Sequence, residues 1–209
     1  MREQDQVMEI IELLIKEYPR ADTRLNFTNR FELLIAVVLS AQSTDDQVNK
    51  VTAELFKKYN TPLMLAQIDL KELEELIRGV GLYKNKARNI RIISKIIMQD
   101  YGGEVPGDFN ELLKLPGVGR KTANVVLSVG FNQPGLGVDT HVYRVAKRLG
   151  IVNGKNVVQI ETTLKRVIPK RLWSKTHHLL IAHGRQICRA RKPDCSNCIL
   201  LERCERIFE

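Results

Sequence analysis

The stretch Leu115-Pro116-Gly117-Val118-Gly119-Arg120-Lys121-Thr122-Ala123 decides how this chain folds and what it faces. Before it, Asp108 stands as the cap of a short helix running through Leu113. After it, Ala123, Val126, Leu127 and Gly130 form a small apolar stripe at helical spacing. Helix, Gly-x-Gly, helix is a helix–hairpin–helix layout. Gly117 and Gly119 permit positive φ and leave bare backbone for a ligand to approach. With Val118 between them, they turn the hairpin amides and the N-terminus of the next helix toward one point, where the helix dipole favours an anion. A phosphate of a nucleic-acid backbone fits such a point, and contacts of that kind carry no base sequence. A tight helix–helix turn with no ligand satisfies the same spacing. Leu115-Pro116 before the glycines, Arg120-Lys121 after them and the charge of the surrounding half favour DNA.

That charge is unevenly placed. Residues 1–104 hold 15 Lys/Arg against 16 Asp/Glu, and residues 105–209 hold 18 against 8, so a net −1 is followed by a net +10. A polyanion-facing surface in the second half accounts for this, as does a solvated basic face. Aromatic residues are only 6% of the chain, which argues against a broad stacking platform for single strands. Glu9 and Glu12 interrupt the apolar stretch near the start, so no signal peptide is read there. The apolar run 31–41 contains Glu32 and is too short to span a bilayer. A cytosolic protein with no membrane partner is expected.

Helical periodicity runs outward from the hairpin in both directions. Val7, Ile10, Ile11 and Leu14 recur at helical spacing, as do Phe31, Leu34, Ile35 and Val38, and Val48, Val51, Thr52 and Leu55. Ala87, Ile90, Ser94, Ile97 and Tyr101 line one face of a longer helix. Asp69 with Glu72, and Asp108 with Glu111, have the spacing of capping boxes. Thr61-Pro62 reads as cap and first helical position, and Gly79 and Gly150 as C-terminal stops. The clearest breaks are 102–107 and 132–137, and the second is a candidate domain boundary. No alternating strand pattern occurs, so the expected fold is all-α.

Two residues near the hairpin have the chemistry of a reacting site. Lys121 falls in the first turn of the helix after the glycines. A protonated lysine is a poor nucleophile, but the helix dipole and Arg120 both favour the neutral amine. A plain phosphate-contacting lysine is the other reading. Asp139, in Val138-Asp139-Thr140-His141-Val142-Tyr143-Arg144, is well placed as an N-cap. A cap aspartate can also present a carboxylate oxygen to a cleft, to accept a proton or stabilise positive charge on a sugar.

All four cysteines lie near the C-terminus, as Cys188-x6-Cys195-x2-Cys198-x5-Cys204. In a reducing compartment such a cluster points to metal, either tetrahedral zinc or [4Fe–4S], with two disulfides as a lesser alternative. Spacing alone does not choose between the metals. Between the first two cysteines, Arg189, Arg191 and Lys192 make the tethered loop strongly basic, suited to phosphate contact or simply to solvent.

Taken together, LPGVGRKTANVV at 115–126, VDTHVYRV at 138–145, LSAQSTD at 39–45, GLYKNKARNI at 81–90 and the cysteine pattern resemble the endonuclease III family of helix–hairpin–helix DNA glycosylases. The resemblance covers essentially the whole chain, with the motifs in order. It implies that Lys121 attacks C1′ of a damaged nucleotide and forms a Schiff base, and that β-elimination then cuts the strand. Asp139 assists. Gln42 fills the space left by the flipped base, and Leu82 wedges into the stack. Gly117, Val118, Gly119, Arg189, Arg191 and Lys192 contact the backbone. Cys188, Cys195, Cys198 and Cys204 hold a [4Fe–4S] cluster as a scaffold. Substrates are oxidised or ring-saturated pyrimidines in duplex DNA, and the expected state is a monomer. Two helical lobes flanking an active-site cleft are expected: a barrel at 21–133 with the hairpin, and a cluster domain from 1–20 with 134–209. Competing readings are another glycosylase of the superfamily and a non-catalytic DNA-binding module with structural zinc.

Overall fold

The computed structural model describes residues 2–207 and shows an all-helical chain, with no strand among them. The helices are α1 (Gln4–Glu17), α2 (Arg30–Leu39), α3 (Asp45–Lys58), α4 (Pro62–Gln67), α5 (Leu70–Leu76), α6 (Tyr83–Asp100), α7 (Phe109–Lys114), α8 (Arg120–Phe131), α9 (Thr140–Arg148), α10 (Val157–Val167) and α11 (Trp173–Gln186). Single 3-10 turns cover Lys170–Leu172, Cys195–Asn197 and Leu201–Arg203. Two compact units form, Arg24–Gln133 and Met1–Thr23 with Pro134–Glu209, and the terminal residues 1, 208 and 209 of the domain expectation lie outside the described residues. No described helix is long and apolar enough to cross a membrane.

Local chemistry starts most of the helices. Asn29, Thr44, Thr61, Asp69, Asp108, Asp139 and Asn156 each accept a backbone N–H of the first turn with the side chain. That satisfies donors which have no partner inside the helix. The two predicted capping boxes are only half formed. Asp69 and Asp108 cap as expected, but Glu72 accepts from the Tyr59 hydroxyl and Glu111 from Tyr101 and Lys114. A ring hydroxyl within reach outcompetes the exposed cap amide. The reciprocal bond appears instead at α1, where Gln6 accepts from the Glu3 amide.

Gly150 ends α9 as read: φ is +73°, its amide bonds Lys147 O and the Ile151 amide bonds Ala146 O. Gly79 does not end α5, which reaches its cap at Ile77. A Cβ on Gly79 would lie 2.4 Å from Gln47 Nε2 and 3.2 Å from Val51 Cγ2, so the residue packs closely against α3.

Each unit has its own core. In the Arg24–Gln133 unit, α2 runs through the centre and packs on α3, α6 and α8. Every residue from Phe31 to Leu39 is buried, Glu32 included, so the single apolar stripe read from the sequence is one side of a helix enclosed on all sides. Glu32 is satisfied there by the amide and hydroxyl of Thr28. In the other unit, Val7, Ile10, Ile11 and Leu14 of α1 join the core made by α9, α10 and α11. α1 packs on α11, which is how the start of the chain is incorporated beside the C-terminal segment.

Candidate active site

The hairpin closes as a five-residue connection between α7 and α8, at 115–119. Leu115 and Val118 are buried, and the Val118 amide bonds Leu115 O, so Val118 anchors the turn from within. Gly117 has φ +78°, and a Cβ there would meet Asn89 Nδ2 of α6 at 2.6 Å. Gly119 is different: it is the N-cap of α8 with extended backbone, and a Cβ would meet nothing within 4 Å. No side chain caps α8. A helix N-terminus that no cap side chain occupies, beside the uncrowded Gly119, is the arrangement that takes an anion. Arg120 stacks over the Phe109 ring at 5.0 Å, joining α8 to α7 across the hairpin. Lys121 is the second residue of α8 and half-buried.

Asp139 caps α9 through one oxygen. Oδ1 accepts from the His141 amide at 2.9 Å and from the Val142 amide at 2.8 Å. The segment leading to it is pinned by His177 of α11, which is buried and hydrogen-bonded from Nδ1 to Gly137 O at 2.8 Å. His141 reaches Arg144 Nη2 at 3.1 Å. Burial lowers its pKa below the ordinary histidine value, against an opposing pull from Asp139. Lys121 belongs to the Arg24–Gln133 unit and Asp139 to the other.

Gln42 and Leu82 come together within the Arg24–Gln133 unit. Both adopt the left-handed backbone conformation, φ +56° and +57°. Gln42 lies past the end of α2 in the loop to α3, and Leu82 is the N-cap of α6. Leu82 is 58% exposed, so it is not folded into the core. Left-handed conformations cost a non-glycine residue about 1–2 kcal/mol and persist only where neighbours impose them. The neighbours here are visible. The Gly81 amide donates to Ser43 Oγ at 3.1 Å, and a Cβ on Gly81 would press on Gln42 O at 3.0 Å.

Lys86 completes the link, and sequence reasoning missed it. It is 5% exposed, and its Nζ donates to Leu39 O at 2.8 Å, to Ala41 O and to Ser43 Oγ at 3.3 Å. The signal was present: Lys86 stands four residues before Ile90 on the buried stripe of α6, where a charge must be paired.

No disulfide joins the four cysteines. All four line one pocket, with Leu149, Ile187, Pro193 and Leu201 as apolar walls. Among the described residues, no three His, Cys, Asp or Glu converge tightly enough to hold a single metal ion. Four soft donors spaced around a shared apolar pocket fit a multi-atom thiolate-bound group. Burial raises the Cys198 and Cys204 thiols, so binding such a group would release protons. His183 lines the same pocket, 3.7 Å from Cys198 Sγ and 3.1 Å from the Tyr18 hydroxyl, and burial drops its pKa to about 4.

Arg189, Arg191 and Lys192 are exposed on the loop after Cys188, with Lys192 at φ +50°. Two arginines one helical turn apart on α9 hold that loop by its backbone. Arg144 donates to Gly184 O and Cys188 O, and Arg148 to Arg189 O at 2.7 Å and Ala190 O at 3.0 Å. Nothing local to either arginine names these partners, which lie in another part of the chain.

A glycine hairpin opening into a helix that no side chain caps is the form in which a helix–hairpin–helix protein meets a nucleic-acid backbone. Residues 35–170 match the HhH-GPD superfamily of base excision DNA repair proteins. The chain is 55% identical over 188 residues to endonuclease III of Bacillus subtilis, spanning 90% of this chain and 86% of that protein. To endonuclease III of Escherichia coli K12 it is 47% identical over 198 residues, 95% and 94% of the two chains. A solved structure of a trapped endonuclease III–DNA covalent intermediate, an estranged-adenine complex, superposes with a TM-score of 0.95 at 51% identity, covering 99% of this chain and 97% of that one. The chain belongs to the endonuclease III family of the HhH-GPD superfamily.

Proposed function

We infer that this protein is a base excision repair DNA glycosylase with AP-lyase activity, acting on duplex DNA that carries an oxidised or ring-saturated pyrimidine. The observation that carries the reading is the hairpin–α8 junction, which puts a lysine in the first turn of a helix whose amides no cap side chain takes up, beside the uncrowded Gly119. A phosphate seated on those amides beside Gly117, Val118 and Gly119 brings the sugar-phosphate chain to Lys121. Its amine attacks C1′ and the glycosidic bond breaks, with the base leaving. The nitrogen lone pair then opens the sugar ring: the C1′–O4′ bond breaks, O4′ takes up a proton, and the C1′=N Schiff base forms. Removal of a C2′ proton then expels the 3′ phosphate by β-elimination. Asp139 is the carboxylate of this chemistry: with Oδ1 committed to the α9 cap, Oδ2 is its remaining acceptor, suited to take a proton or to stabilise the sugar cation.

Gln42 and Leu82 are the residues that enter the duplex. A leucine held outward at a backbone cost serves no purpose in the core, and a wedge gives it one. Arg189, Arg191 and Lys192 contact phosphates. Cys188, Cys195, Cys198 and Cys204 hold a [4Fe–4S] cluster, which supplies rigidity to the loop and no bond-making step. The two compact units serve as its domains, and a cytosolic monomer suits a repair enzyme of this kind.

Release of thymine glycol and incision of the strand, followed separately by chromatography of the free base and by gel, test the function. Both products are expected, with incision tracking base loss. A duplex that stays intact and keeps its base would overturn the reading.

A further inference from the structure

We propose that Lys86 is a positioning residue for lesion recognition: its buried ammonium ties the Gln42 loop and the Leu82 turn into one rigid two-sided probe. The proposal rests on the reading of Gln42 and Leu82 as the residues that enter the duplex. Leu39 O and Ala41 O lie at the C-terminus of α2, where carbonyls have no partner inside the helix. Lys86 reaches both from the first turn of α6, and adds Ser43 Oγ, using all three donors of the ammonium. Ser43 in turn accepts the Gly81 amide, one residue before Leu82. One side chain thus fixes the residues on either side of Gln42 and, through Ser43, the residue before Leu82.

A flexible surface would do if both loops merely covered the protein. Two non-glycine residues held in the left-handed region, both exposed, show instead that their directions are set against a local cost. An ammonium suits this task better than an apolar group, because each of its three bonds is directional and goes to a different residue. Inserting side chains into a base stack requires that they be held before the DNA arrives, since ordering them on binding would subtract from affinity.

The prediction separates positioning from plain stability. A damaged base must be unstacked before it can be removed, whereas an abasic site has no base to unstack. Purified full-length Lys86→Met and Ser43→Ala are compared with wild type on a thymine glycol duplex and on an abasic duplex, with melting temperatures recorded. Lys86→Met is expected to lose about 10- to 100-fold in kcat/KM on thymine glycol, and only a few-fold on the abasic site. Ser43→Ala, which keeps Lys86 and two of its bonds, should show the same ordering with a smaller loss. Equal proportional losses on both duplexes would mark Lys86 as structural only and overturn the proposal, as would wild-type rates. Leu82→Ala is the control for the underlying reading. If it is selective for thymine glycol while Lys86→Met is not, the positioning role fails and the wedge stands; if it is silent, the wedge fails and the proposal with it.

Discussion

At the scale of single residues, the observed cap of Asp139 and its proposed role as the carboxylate of the reaction are two jobs that substitution can separate. Asparagine caps a helix about as well as aspartate, but it carries no charge and accepts no proton. Asp139→Asn is therefore expected to fold with stability within about 0.5 kcal/mol of wild type, while base release falls by orders of magnitude. Asp139→Ala should lose the activity and about 1 kcal/mol of stability as well, because the amides of His141 and Val142 lose their acceptor. Denaturant melts beside single-turnover kinetics check both. An active Asp139→Asn would leave the residue as a cap alone. The cap itself was legible from the sequence, since a polar residue before an apolar periodic run is a local signal. His177, which pins Gly137 from 40 residues away, was not, because a histidine in an amphipathic helix announces neither its burial nor its partner.

At the scale of the element, the two hairpin glycines have different reasons for being glycine. Gly117 combines positive φ with a collision at Asn89, so Gly117→Ala should destabilise the protein by about 1–2 kcal/mol. Gly119 has ordinary backbone and open space, and Gly119→Ala should cost under about 1 kcal/mol, that being the usual price of alanine at an N-cap. Its methyl group would nevertheless stand where a phosphate approaches, so duplex binding should weaken more than stability. Thermal melts and fluorescence anisotropy on undamaged duplex distinguish the two. Equal effects of both substitutions in both assays would remove the anion site. The Gly-x-Gly spacing revealed the hairpin but could not rank its glycines, because φ and neighbours are set by how α6 packs against the turn. The same limit explains Gly79: a glycine near the end of a helical pattern looks like a stop, and only the approach of Gln47 shows that it is a packing position. It also explains Lys86 and the arginine pair Arg144 and Arg148, whose partners lie 40 or more residues away.

At the scale of the whole molecule, the helical class followed from periodicity and caps, since most of the helices carry their own start signal. Membership of the endonuclease III family came from motifs in order along the chain. The pairing of α1 with α11 had no local signal at all, because long-range packing is a property of both partners. The cysteine pocket belongs to this scale too. Three of its four thiols belong to the loops after α11 and Cys188 precedes them at its end, so a bound cluster would staple a segment with little secondary structure of its own. Cys198→Ser is expected to lose iron and the visible absorption that accompanies it. Proteolysis should then cut first in the segment 187–207, while the Arg24–Gln133 unit resists longer. Wild-type iron content in Cys198→Ser would refute the ligand assignment.

The central claim is a Schiff base at Lys121, and borohydride trapping tests it most directly. Wild type and Lys121→Gln are incubated with a duplex bearing one thymine glycol, reduced, and resolved under denaturing conditions, with the adducted peptide identified by mass. A covalent protein–DNA species in the wild type, mapped to Lys121 and missing from Lys121→Gln although that variant still binds the duplex, is the predicted result. A trapped species of equal yield in Lys121→Gln would place the nucleophile on another residue and contradict the account.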